Sequence, residues 1–153
     1  MRVYLIRHGK ARPKENDDER HLSDAGREEV RKVVAMLKPL KIHVGAIWHS
    51  HKTRAIETAH EISVAIESDD GLIERDDLAP NDEVVPVAKE IVRQGADVAI
   101  VGHLPFLSRL ASRLLVGSES ADVVAMTTGS AVCLEHDPQC GWGVVWMIAP
   151  EML

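Results

Sequence analysis

Residues 1–10 read MRVYLIRHGK, and the apolar run Val3-Tyr4-Leu5-Ile6 stops abruptly at Arg7-His8-Gly9. An unbroken run of β-branched, aromatic and aliphatic residues closed by Gly predicts a buried strand giving way to a loop. Open α/β sheets bind ligands outside the carboxyl ends of their strands, which places Arg7 and His8 where such a site is built. Gly9 lacks a Cβ, so the backbone there is expected to let a ligand approach closely. A planar guanidinium beside an imidazole suits chemistry on a phosphoryl group, with arginine gripping oxygens and histidine attacking phosphorus.

Working outward, residues 10–21 form a highly charged loop, and Ser23 has the character of an N-cap for a helix through about Leu37. Val30, Val33, Val34 and Leu37 share one face of that helix, and Gly26 is an unusual residue for its first turn. Val44 to Trp48 reads as a second strand and Lys52 to Ala65 as a helix, with Ala55, Ile56, Ala59, Ile62 and Ile66 at helical spacing. Glu67–Asn81 reads as acidic and irregular, broken only by Leu72-Ile73. A helix over Asp82–Arg93 closed by Gly95, a buried strand at Asp97–Val101, and a helix from Pro105 to Leu115 follow. Strands at Ala131–Glu135 and Val144–Ile148, joined by a turn rich in Asp, Pro and Gly, complete the chain. Alternating strands and helices predict a three-layer α/β/α sandwich, mostly parallel with an antiparallel edge, as one domain over residues 1–153.

The composition narrows the function classes. The chain has 153 residues, 45% hydrophobic and 27% charged, as in ordinary globular domains rather than disordered ones. A net charge of −6 argues against a broad nucleic-acid surface, though two arginines still suffice to hold one phosphate. The first apolar run is too short for a signal segment and no stretch approaches a membrane span, so a cytoplasmic protein without membrane contact is expected. Cys133 and Cys140 are too few for a disulfide framework and are expected to be free thiols without catalytic duty.

Parallel strands end on one rim. The strand ends at Arg7-His8-Gly9, at His49-Ser50 leading to Arg54, and at Gly102-His103 should therefore converge. Two imidazoles and two guanidiniums would then surround an anion-sized space, with Arg54 in the first turn of one helix and His103 just before another. Helix N-termini add free N–H groups and a positive dipole end. These pieces resemble the histidine phosphatase superfamily, the phosphoglycerate-mutase-like fold: Leu5-Ile6-Arg7-His8-Gly9, Leu22-Ser23 with Gly26, Ser50 with Arg54-Ala55 and Thr58-Ala59, and Val101-Gly102-His103. Arg20-x-Leu22-Ser23, Leu78-Ala79-Pro80, His103-Leu104-Pro105 and Met126-Thr127-Thr128 are most similar to its small SixA-type phosphohistidine phosphatases. The resemblance implies that His8 is the nucleophile, forming a phosphohistidine intermediate, and that Arg7, Arg54 and His103 hold the phosphoryl oxygens. Arg20, in the charged loop, could lean over the same pocket. No cofactor or metal is expected, because two arginines and a second imidazole already supply positive charge. His49 and His51 lack a third ligand of metal-site spacing.

Larger members of the superfamily carry an acidic residue on an inserted segment that protonates the leaving group. Here the corresponding region is Glu67–Asp82, where Glu74, Asp76, Asp77 and Asp82 are present but no motif selects one. An alkoxide leaving group needs a proton, and a general acid contributes about 10²–10⁴-fold. An imidazole can depart neutral when its far nitrogen is protonated. Phosphohistidine on a protein, such as a histidine-containing phosphotransfer domain, is therefore the expected substrate of a monomeric enzyme. The alternatives are a phosphatase of small phosphate esters, with Glu74 or Asp77 as acid, and a non-catalytic binder of phosphate or phosphopeptides.

Overall fold

The structure is a computed structural model describing residues 1–153. Its centre is a six-stranded sheet with strand order β5-β3-β6-β1-β7-β8. Here β1 is Arg2–Arg7, β3 Ala46–Ser50, β5 Leu72–Arg75, β6 Val98–Gly102, β7 Ala131–Asp137 and β8 Gly141–Ile148. The run β5-β3-β6-β1 is parallel, while β7 is antiparallel to β1 and β8 to β7. This is the expected mostly parallel sheet with an antiparallel edge.

Helices cover both faces, which explains why β1 and β6 read as continuous apolar runs rather than alternating ones. On β1, Val3 and Leu5 join a core with Phe106, Leu107 and Leu110, whereas Tyr4 and Ile6 join a second core with Val30, Val33 and Ile62. Helices α3 (Val85–Gln94) and α4 (Phe106–Val116) build the first core; α1 (Asp24–Leu37) and α2 (Thr53–Ile62) build the second. No helix is long and apolar enough to cross a membrane.

Ser23 caps α1 as expected, its Oγ accepting from Gly26 N–H at 3.0 Å. The two glycines of this region have a packing reason. A Cβ on Gly26 would lie 2.1 Å from the Lys10 carbonyl oxygen, so only glycine lets the loop after β1 lie against the helix. A Cβ on Gly9 would meet Val30 Cγ2 at 2.7 Å and Leu22 Cδ2 at 3.1 Å. Gly9 thus admits α1 rather than, as expected from sequence, the ligand.

Four features differ from the sequence reading. The stretch expected as one strand from Val44 to Trp48 is two, β2 (Ile42–Val44) and β3, separated at Gly45. Gly45 N–H donates to the Asp97 carbonyl while β2 leaves the main sheet to pair with β4 (Ile66–Ser68). The segment expected as irregular contains β4 and β5; both are short, and β5 has only Leu72 and Ile73 as apolar residues on an edge. Helix α2 ends at Ile62, three residues early, because Ser63–Ala65 turn to feed β4, so Ile66, expected on the helix pattern, is a strand residue. Pro105 is the N-cap residue of α4 rather than part of its first turn.

Candidate active site

Sheet register brings the three strand ends level. Arg7 pairs with Gly102, and Ile6 and His49 both flank Val101, so His8, Ser50 and His103 emerge on one rim. The backbone just past β1 is pinned from both sides. His8 N–H donates to the Gly102 carbonyl and the His8 carbonyl accepts from Gly129 N–H, both at 2.9 Å.

His8 Nδ1 lies 2.7 Å from the Gly9 carbonyl oxygen, which can only accept, so the ring proton sits on Nδ1 and Nε2 keeps its lone pair. Gly9 N–H in turn donates to Thr58 Oγ1, whose hydroxyl donates to the Arg54 carbonyl. This chain of bonds couples the loop after β1 to the first turn of α2. Arg7 is held by a 2.7 Å bond from its guanidinium to the Met126 carbonyl.

His103 faces His8, with ring centroids 5.0 Å apart. Its Nε2 is 2.8 Å from Ser50 Oγ, and that oxygen also accepts from Lys52 N–H at 3.2 Å. The Ser50 hydroxyl proton is free to donate to Nε2, which leaves the His103 proton on Nδ1. That Nδ1, together with Arg7 Nε and Arg54 Nε, is buried without a partner in the protein. Unpaired buried donors are costly, so their concentration on one rim marks a place built for an acceptor.

The electrostatics keep both imidazoles neutral. Burial pushes His8 down to about 4, with Arg54, Arg7 and Arg20 adding to the shift. His103 falls to about 3, again mainly by burial, then through His8, Arg54, Lys52 and His51. Burial also lowers Arg7 and Arg54, which remain cations at any ordinary pH.

The structure therefore brings together Arg7, His8, Arg54 and His103. Arg20 lines a polar cavity with Arg54, its backbone left-handed at φ 54° and its Nε donating to the Arg12 carbonyl. The four carboxylates of the 67–82 region are otherwise disposed. Asp77 is paired with Arg75, which holds its carboxyl below the usual range, and Asp82 accepts from Ala79 N–H. Glu74 and Asp76 are exposed. His49 is buried against the Ser50 carbonyl while His51 is exposed, so the two rings do not share an environment. Both cysteines are free, and burial raises the Cys133 thiol to about 11. The sequence reading included Ser50, Thr58 and Met126 among the pieces of the resemblance but gave them no supporting role, which the structure supplies. The four-residue step from Ser50 to Arg54 and from Arg54 to Thr58 was the available signal for the first two; nothing in the sequence marks a carbonyl.

Residues 3–77 match the profile of the histidine phosphatase superfamily (branch 1). No curated protein sequence matches. Among solved structures, the protein histidine phosphatase SixA complexed with tungstate is similar at TM-score 0.84 and 24% identity, covering 99% of each chain. A protein assigned as phosphohistidine phosphatase SixA from Agrobacterium tumefaciens gives 0.76 and 23%, covering 97% of each. One assigned as an alpha-ribazole-5'-P phosphatase from Escherichia coli gives 0.77 and 15%, covering 98% of this chain and 97% of that one. At these identities the likeness shows a shared fold.

Proposed function

We propose that the protein belongs to the histidine phosphatase superfamily, whose profile residues 3–77 match and whose fold it shares, and that it is a metal-independent phosphatase. In this reading it works through phosphorylation of His8, and its substrate is phosphohistidine carried by a protein. The observation that carries the reading is the 2.7 Å contact between His8 Nδ1 and the Gly9 carbonyl, which aims an unprotonated Nε2 out of the strand end. In the first step the Nε2 lone pair forms a bond to phosphorus. The bond from phosphorus to the substrate imidazole breaks, and its electron pair returns to that ring, which leaves neutral when its far nitrogen carries a proton. In the second step water attacks the phosphoryl-His8, and the electron pair of the P–N bond returns to His8 Nε2. The proton lost by water goes to a phosphate oxygen, giving inorganic phosphate.

Arg7, Arg54 and His103 Nδ1–H act on the equatorial oxygens, where charge spreads in the transition state of phosphoryl transfer. Their donors are held in advance by Met126, by helix α2 and by Ser50, so little reorganisation is needed at the moment of reaction. Fold likeness does not discriminate substrates, since SixA and an ester phosphatase are comparably similar. The carboxylates favour phosphohistidine: Asp77 and Asp82 are already engaged, and Glu74 and Asp76 lie exposed on the β5 edge and beyond. A good leaving group makes a general acid less necessary.

The test compares kcat/KM for a phosphorylated histidine-containing phosphotransfer protein with a panel of small phosphate esters. The phosphoprotein should be preferred, with alkyl phosphates poorest and aryl phosphates between. Efficient hydrolysis of a small sugar phosphate would move the assignment to an ester phosphatase.

A further inference from the structure

The cavity beside Arg54 has a volume of about 360 Å³ and no hydrophobic lining residue. Four cations border it, Lys14, Arg20, Lys52 and Arg54, against two carboxylates, Asp18 and Glu19. Glu19 turns to His21, with Oε2 3.3 Å from Nε2, and none of the four cations has a salt-bridge partner. Arg2, Arg27, Arg31, Arg75 and Arg109 are matched to carboxylates, whereas the charge of these four faces the cavity without an ion-pair partner.

We propose that this cavity is a second anion subsite, in which Lys14, Arg20 and Lys52 receive acidic side chains flanking the phosphohistidine of a protein substrate. The proposal rests on the phosphohistidine reading above and adds to it a sequence preference. Arg54 is shared, so an anion in the cavity lies next to the phosphoryl group rather than at a remote surface. Two of the three subsite cations are lysines, flexible point charges without the planar fork that suits bidentate grip on one fixed group. They come from separate segments, the charged loop and the start of α2, and leave the cavity open to solvent. A wide, polar, loosely specified mouth fits carboxylates that vary in position on a protein surface better than a single small ligand. Surface cations of this kind steer encounter and discriminate between partners more than they add raw affinity.

The experiment uses two phosphohistidine peptides, one with Asp and Glu on both sides of the modified residue, the other with Asn and Gln. A small phosphate ester bearing a carboxylate and its carboxamide counterpart form a second pair, and an aryl phosphate reports general turnover. At low ionic strength the acidic peptide should have about a fivefold higher kcat/KM than the neutral one, the scale of a few partly exposed ion pairs. The ratio should fall toward one in high salt, and likewise in the double variant Lys14→Gln/Lys52→Gln. The salt titration on the parent stands by itself if the variant folds poorly. A ratio of one in the parent, or a ratio unchanged by salt and in a folded variant, overturns the subsite. Discrimination within the ester pair but not within the peptide pair assigns the cavity to a small bis-anion and overturns the protein-substrate proposal. Turnover of the aryl phosphate with neither peptide hydrolysed overturns the phosphohistidine reading itself, a result distinct from a peptide ratio of one.

Discussion

Replacing His8 by Asn should make the protein less sensitive to acid, although it removes the proposed nucleophile. His8 sits near 4 in the folded protein against an ordinary value of 6.5. A depressed folded value means that the unfolded chain binds the proton more readily. Stability is therefore complete above pH 6.5 and is lost progressively as pH falls toward 4. Integrating that difference from pH 7 to pH 5 gives a loss of about 2 kcal/mol for this one ring, at 1.36 kcal/mol per pKa unit. His103, near 3, contributes a loss of similar size. His21 and His43 run the other way: their values are raised by Asp17 and Asp69, so their contribution is present at low pH and lost as pH rises. Both variant and parent retain those groups, so the comparison cancels them. Urea unfolding at pH 7 and pH 5 should show the parent losing about 2 kcal/mol more than His8→Asn over this interval. An equal loss in the two proteins would mean that His8 is hydrated and titrates normally, and the account of a neutral buried nucleophile would be wrong.

Other consequences follow from the supports of the site. Ser50→Ala should cost about 1–2 kcal/mol in urea unfolding and lower kcat about tenfold with little change in KM, because His103 loses its tautomer-setting partner; its ¹⁵N shifts should show mixed tautomers. Gly26→Ala should destabilise by at least about 1–3 kcal/mol, the range for overpacking, since its Cβ would lie 2.1 Å from the Lys10 carbonyl oxygen; thermal melts check this. Glu74→Gln, Asp76→Asn, Asp77→Asn and Asp82→Asn should each change kcat/KM on phosphohistidine by less than about threefold. A loss approaching a hundredfold in any of them would identify a general acid.

Much of this site was legible because parallel strands share a direction. Once β1, β3 and β6 are recognised, Arg7-His8, Ser50 and His103 must end on the same rim, and the register does the rest. Ser23 and Gly95 marked helix ends through cap chemistry that is local to the residue. What escaped depends on distant partners. Strand β5 is held by β3 alone, and its sequence LIER carries too little alternation to be seen. Gly45 divides one apolar run into two strands because it bonds to Asp97, fifty-two positions away. The reason for Gly9 was misassigned because its neighbour, Val30, lies a full helix start downstream. Likewise the grip of Met126 on Arg7 crosses 119 residues and uses a carbonyl that every residue possesses.

The central claim is that His8 Nε2 carries the phosphoryl group. Rapid mixing with ³²P-labelled phosphohistidine protein, an alkaline quench and peptide mapping test it most directly. The account predicts a transient label on His8 that is stable to base and lost in acid, absent in His8→Ala, whose turnover should be abolished. Label on another residue, or full turnover in His8→Ala, would contradict it.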